Sequence, residues 1–228
     1  MKTSKTLGKG WWISLGIVLV VAFLAVLIFV KPATKTPEPI AQPTTSKTEK
    51  PAGGCDVPLG DTSSKPAMPK DLRWEAAKGW TWPVSDTYGP TQDKDGYGVC
   101  FARSPLGAAL AMTTIFASGN TMDAKEAIEI YVADTVGKKA ALAESAPSSS
   151  APMTPAGFSI EAYTPDLVEL TVVYSFPSSS TGYVGFPSSM TWEDGDWKAK
   201  VSDNGKVSGD RTTKPVTGGF QSWGGPNV

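Results

Sequence analysis

The sequence predicts an α+β domain carried behind one membrane-spanning helix, and three observations carry that expectation. Residues 11–30 are an apolar run without a charge, residues 31–70 are rich in Pro, Thr and Lys, and residues 71–228 pass from helical spacing to strand alternation. Helices followed by an antiparallel meander imply helices laid on one face of a curved sheet.

The run Trp11 to Val30 reads WWISLGIVLVVAFLAVLIFV, 20 residues with no charged side chain. At about 1.5 Å per residue it spans roughly 30 Å, the thickness of a bilayer's hydrocarbon core. A soluble helix needs only an apolar stripe, so an all-round apolar helix points to lipid, with Trp11 and Trp12 as interfacial anchors. A cleaved secretory signal is the alternative. Lys2, Lys5 and Lys9 would serve as its basic region, but the run exceeds the usual ~7–15 residues. No small-x-small cleavage site follows Val30. Ala52-Gly53-Gly54-Cys55 looks like a lipidation box, yet no apolar segment directly precedes it. Either alternative would still export the domain. Three lysines lie before the run against Lys31 and Lys35 just after it. The positive-inside bias therefore expects the tail 1–10 in the cytoplasm and the C-terminal domain outside a cell membrane.

Eight prolines fall between residues 31 and 70 (Pro32, Pro37, Pro39, Pro43, Pro51, Pro58, Pro66 and Pro69), among Thr, Ser and Lys. Such a segment buries too little apolar surface to fold and reads as an extended, disordered spacer. At about 3 Å per residue it reaches on the order of 100 Å when stretched.

Charge divides along the same boundary. Residues 1–70 carry nine Lys/Arg and four Asp/Glu, +5, and residues 71–228 carry twelve and eighteen, −6. An acidic domain without a basic stripe argues against nucleic acid as a partner. Outside a membrane the two cysteines, Cys55 and Cys100, are expected to pair, pinning the end of the linker to the domain. Two unpaired thiols are the alternative.

Within 71–228, residues 72–102 read as short extended segments, with Trp74, Trp80, Trp82 and Val84 as apolar positions and Asp86 to Pro90 as turn chemistry. Tyr97 to Ala102 reads as a strand carrying Cys100. Ser104-Pro105 is a helix N-cap; Leu106, Ala109, Leu110, Thr113 and Ala117 follow one face until Gly119. Thr121 is expected to cap a second helix through Ala124, Ala127, Ile128 and Tyr131, closed by Gly137, and a third is expected from Lys138 to Ala146. After a Ser/Pro loop the remainder is strand. Phe158, Ile160 and Ala162 alternate to a turn at Thr164-Pro165-Asp166, and the even positions from Val168 to Phe176 form one apolar face. A segment ending Met190-Thr191-Trp192 meets the hairpin signal Asp194-Gly195, with Trp197, Ala199 and Val201 alternating on the return.

The chain contains no histidine, which removes Ser/His and Cys/His catalysis and leaves zinc poorly served. Ser202-Asp203-Asn204 and Lys214 to Gly218 echo motifs of penicillin-binding enzymes, but the Ser-x-x-Lys nucleophile is absent from the domain, so Ser202 to Gly205 reads as a surface turn. Asp93-Lys94-Asp95-Gly96 is a partial calcium loop whose twelfth position falls on Ala102, so an Asp-rich turn is the plainer reading. No catalytic, cofactor or metal site is expected. Most domain tryptophans (Trp74, Trp192, Trp197 and Trp223) sit at core-like positions, whereas Trp80 and Trp82, in loop-rich context, are the candidates for an exposed binding surface. Glu161, Asp166 and Glu169 could place a carboxylate at the mouth of a pocket, or sit as solvated strand ends.

The element order, with a closing strand at Asp194-Gly195-Asp196-Trp197-Lys198, resembles the cone-shaped α+β fold of nuclear transport factors, SnoaL-like cyclases and periplasmic secretion-assembly domains. Asp71 to Glu75, Pro83 to Ser85 with Gly89-Pro90, Ser104 to Ala109, Tyr163 to Asp166 and Trp192 to Trp197 together resemble uncharacterised actinobacterial single-pass membrane proteins encoded with integrative or conjugative elements. That resemblance implies a membrane-anchored, non-enzymatic scaffold of a cell-envelope machine, with other envelope or secretion proteins, or a second copy, as partners. A ligand- or cell-wall-binding module using the cone cavity or the tryptophans is the alternative expectation, and a carboxylate-only enzyme a third.

Overall fold

Three hairpins of this fold turn on a residue followed by glycine with both residues at positive φ, the conformation that matches the twist of paired strands. They are Lys78-Gly79 (φ 48° and 85°), Asp95-Gly96 (57° and 90°) and Asp194-Gly195 (53° and 79°). The computed structural model describes residues 55–144, 151–207 and 213–225. The apolar run 11–30 and the linker up to residue 54 lie outside the described residues, among which no helix is long and apolar enough to cross a membrane.

Strands β1 (Leu72–Ala77) and β2 (Trp80–Ser85) form the first hairpin, and β3 (Gln92–Lys94) and β4 (Tyr97–Val99) the second. Three helices follow: α1 (Pro105–Thr121), α2 (Ala124–Tyr131) and α3 (Val136–Glu144). Then come β5 (Thr154–Thr164), β6 (Leu167–Ser175), β7 (Tyr183–Glu193) and β8 (Asp196–Lys200), with short strands β9 (Lys214–Pro215) and β10 (Gln221–Ser222). The main sheet is antiparallel, in the order β10-β5-β6-β7-β8, with β9 beside β7. This is an α+β domain with a mostly antiparallel sheet.

The core lies between α1 and this sheet. Val168, Leu170, Val172 and Tyr174 of β6 are fully buried, as period-two alternation expects, and meet Leu106, Leu110 and Met112 of α1 together with Phe158, Met190 and Trp197. Burying a Leu- or Phe-sized side chain contributes about 1.5–3 kcal/mol, so this face supplies most of the domain's apolar stabilisation. Trp223, just after β10, stacks at 4.5 Å on Phe158 and closes one end.

Several expectations change. Phe176, expected on the apolar face with Val168 to Tyr174, lies beyond β6 and is 42% exposed, and Ala162, expected to alternate with Phe158 and Ile160, is exposed where a bulge shifts the β5–β6 register. Helix α1 is buried on all sides from Pro105 to Thr114, because it lies between the β1–β2 hairpin and the sheet. Its Gly, Ala and Thr content allows that: a Cβ on Gly107 would sit 2.0 Å from the Ala102 carbonyl oxygen. Thr121 ends α1, with its hydroxyl donating to the Ala117 carbonyl, and the α2 cap is Asp123, whose carboxylate accepts from Glu126 N at 2.9 Å. Gly137 lies inside α3, where a Cβ would meet the Ser202 carbonyl oxygen at 2.2 Å, so it serves close approach and not termination. The strand expected through Ala102 stops at Val99, because Cys100 turns away at φ 69°.

Candidate functional site

The hairpin at Asp194-Gly195 presents two adjacent side chains to opposite sides of β8. Trp197 enters the core and its indole N–H donates to the Ala102 carbonyl at 2.8 Å. Asp196 faces the other way, 5% exposed, under the backbone of residues 100–101. Its Oδ2 accepts from Cys100 N at 2.8 Å, and its Oδ1 accepts from Phe101 N and Trp197 N, both at 2.9 Å. Burial pushes the Asp196 carboxyl above the usual carboxylate range, against the pull of those backbone N–H groups and of Lys198. The carboxylate thus satisfies donors that the left-handed turn at Cys100 takes out of any strand ladder. Cys100 is also bonded to Cys55, with a Cα–Cα separation of 5.2 Å. Strand β8, the end of β4 and the end of the linker therefore meet at one point.

Beside this point opens a cleft of about 820 Å³, lined among others by Cys55, Lys94, Glu129, Lys138, Glu193 and Lys198. Its groups are largely engaged in holding the α2–α3 connection. The Lys198 ammonium donates to the Ile130 carbonyl at 2.8 Å, and burial pulls its pKa below that of a free lysine. Lys138 donates to the Glu129 carbonyl at 2.8 Å and pairs with the Glu129 carboxylate at 3.1 Å. Glu193 accepts from Asp134 N at 2.9 Å. The result is a polar, mixed-charge recess suited to hydrogen bonding with a partner's surface. Among the described residues no group of His, Cys, Asp and Glu is arranged to hold a metal ion.

The two expected disulfide partners are brought together. The residues before β1 lie along the domain through that bond and through Gln221, whose side-chain amide donates to the Pro66 carbonyl at 2.8 Å. The tryptophan pair separates. Trp80, expected on an exposed surface, is only 4% exposed, because the β1–β2 hairpin folds back against α1 and β5. Trp82 is half-buried and lines a second groove. The three candidate carboxylates do not converge. Glu161 accepts from Thr171 across β5–β6, Glu169 accepts from Ser189 across β6–β7, and Asp166 pairs with Arg103. The partial calcium loop is the β3–β4 hairpin turn, closed by Gly96 N donating to Asp93 at 2.9 Å. Ser202 to Gly205 is a turn, with Gly205 N donating to the Ser202 carbonyl at 2.7 Å.

Sequence reasoning missed Asp196 and Lys198. Both alternate with the core residues Trp197 and Ala199, which reads as a solvated strand face; residues 100–101 and 130–133, distant in the chain, cover that face. No local signal carried it.

Fold and site together define a disulfide-linked α+β domain with a polar cleft beside the cross-link. The chain belongs to the family described as a domain of unknown function, DUF8175, whose model matches residues 33–221. No curated protein and no solved structure matches it.

Proposed function

We propose that this chain is a single-pass membrane protein that holds its domain outside the membrane as a non-enzymatic docking element for other envelope proteins, in a secretion or conjugative machine. The observation that carries the reading is the order of parts: a 20-residue charge-free run, a proline-rich spacer, and a spacer end bonded to the domain at Cys55–Cys100. A tether fixed at both ends gives a domain defined reach without a defined orientation, which suits assembly more than chemistry. The disulfide supports an oxidising location for the domain. The mixed-charge cleft supports recognition of a protein surface, since complementary charges set register and partner choice. The resemblance to secretion-assembly domains and to proteins encoded with conjugative elements supports the same role.

The test is amine-reactive cross-linking on intact cells, followed by purification of the chain from membranes. Cross-links from Lys94, Lys138 or Lys139, at the cleft, to other envelope proteins are expected. Recovery of the chain alone, with transfer or secretion unchanged in a deletion strain, would overturn the docking role. A protease added outside intact cells is expected to remove the domain; protection of the domain in cells that admit no protease would overturn the topology.

A further inference from the structure

We propose that the groove between the β1–β2 hairpin, the β3–β4 hairpin and α1 is a saccharide-binding site in which Trp82 is the stacking platform. The groove has a volume of about 530 Å³, within the range of about 300–1,000 Å³ typical of small-ligand sites. Trp82 lies on one wall, directly opposite Glu75 in the β1–β2 register, so indole and carboxylate share one face of the hairpin. Gln92 and Asp93, exposed on β3, form the other wall, and Pro90 and Met122 add apolar surface.

This set of groups selects among ligand chemistries. Among the described residues that line the groove only Glu75 and Asp93 are charged, and the Arg73 guanidinium beside Glu75 is shared between Glu75 and Asp86, so phosphates and other anions face net negative charge. Glu75 already holds the Arg73 guanidinium at 2.8 Å, and Asp93 already accepts from Gly96 N, so a further ammonium gains less than bare carboxylates would give it. What the groove retains is a half-buried indole, carboxylate oxygens with lone pairs to spare and an amide that both donates and accepts. A pyranose ring presents the complement: a C–H face that covers an indole, and a rim of hydroxyls that donate and accept. The site is independent of the docking role, because it would survive in a chain that recruits no partner.

The test uses the full chain purified in detergent, titrated calorimetrically with cellotetraose, tetra-N-acetylchitotetraose and tetralysine. Binding of at least one of the two sugars is expected, and which one binds separates a neutral hexose from an N-acetylated amino sugar. Trp82→Ala is expected to weaken that binding on the order of tenfold or more. Gln92→Ala, on an exposed strand outside the core, is expected to weaken it roughly fivefold. Near-UV circular dichroism checks the fold of each variant; should Trp82→Ala fail to fold, Gln92→Ala and Asp93→Asn decide. Absence of binding of either sugar to the folded chain, affinity unchanged in the folded variants, or binding of tetralysine alone would overturn the site.

Discussion

Strands β5 to β8 form one continuous ladder, with β6 and β7 in register from Leu167–Thr191 to Ser175–Tyr183, whereas β1 to β4 form two hairpins that no strand pairing joins to that sheet. At the centre of the meander β6 buries every second side chain from Val168 to Tyr174. The hairpin half also buries Trp80 and Val84, but it adds point contacts of another kind: the Cys55–Cys100 bond, the Asp196 carboxylate under residues 100–101, and Asp71, which accepts from Ser85 Oγ at 2.8 Å and from Thr87 N at 2.7 Å. Where a ladder continues, backbone pairing and apolar burial coincide; where it breaks, covalent and charge-assisted ties substitute. The two halves should therefore fail in different ways when perturbed.

The largest effect is expected from the meander. Trp197→Ala removes a fully buried indole and its bond to the Ala102 carbonyl. It should cost about 4–5 kcal/mol and unfold the whole domain cooperatively, read as a shifted urea midpoint by far-UV circular dichroism. A loss below about 2 kcal/mol would mean the core does not lie where burial places it.

Removing the disulfide, with Cys55→Ser and Cys100→Ser together, frees a 45-residue loop and should cost about 4 kcal/mol on the chain-entropy model. Its local signature sharpens the contrast. Hydrogen exchange should accelerate through residues 55–104 while amides of β6 and β7 keep their order of protection. Uniform loss of protection across both halves would show that the hairpins and the meander form one cooperative unit.

The same division decides what could be read from the sequence. The alternation of Val168, Leu170, Val172 and Tyr174 and the Asp194-Gly195 turn are local patterns, and the meander follows them. The pairing of Cys55 with Cys100 was legible because two cysteines leave one choice. The hairpin half was less so. Lys78-Gly79 turns as tightly as Asp194-Gly195, yet lysine carries no turn signal. Trp80 reads from the sequence as part of a loop-rich stretch, yet it opens β2 and is buried because the hairpin folds back onto α1 and β5. Helix α1 showed one apolar stripe because, Met112 apart, its remaining buried faces are mostly small residues (Gly107, Ala108, Ala111, Thr114 and Ser118) whose burial depends on how closely neighbours approach. Of the cleft, the disulfide was foreseen and Asp196 was not, since a charged residue beside a hairpin turn reads as solvated until distant backbone covers it.

Asp196 tests that cover directly. Asp196→Asn keeps the shape but turns an amide N–H₂ toward backbone donors, and should cost about 2 kcal/mol. Because burial raises the folded pKa, the folded state holds the proton more tightly than the unfolded chain does. That contribution is complete below the ordinary carboxylate value of about 3.9 and is lost as pH rises through the raised value. The gap between parent and variant should narrow over that rise; a gap that widens would mean that the three N–H bonds outweigh burial.

Asp71 should behave with the opposite sign and the smallest size. Burial pushes its carboxyl upward, but hydrogen bonds from the Thr87 and Ser85 hydroxyls and from Thr87 N outweigh it and hold the folded pKa below the ordinary range. Its contribution is therefore present above about 3.9 and lost as pH falls through the lower folded value. Asp71→Asn should cost about 1 kcal/mol at neutral pH, since an amide oxygen replaces only part of the acceptor set. It should also remove the part of acid destabilisation that belongs to the β1–β2 hairpin. Urea midpoints of parent and variant, taken at pH 7 and pH 3, should differ more at pH 7 than at pH 3. An equal gap at both pH values would show that the hairpin is held by its ladder and its Trp80 contact with no share from Asp71, and the distinction between a laddered half and a pinned half would then rest on Asp196 and the disulfide alone.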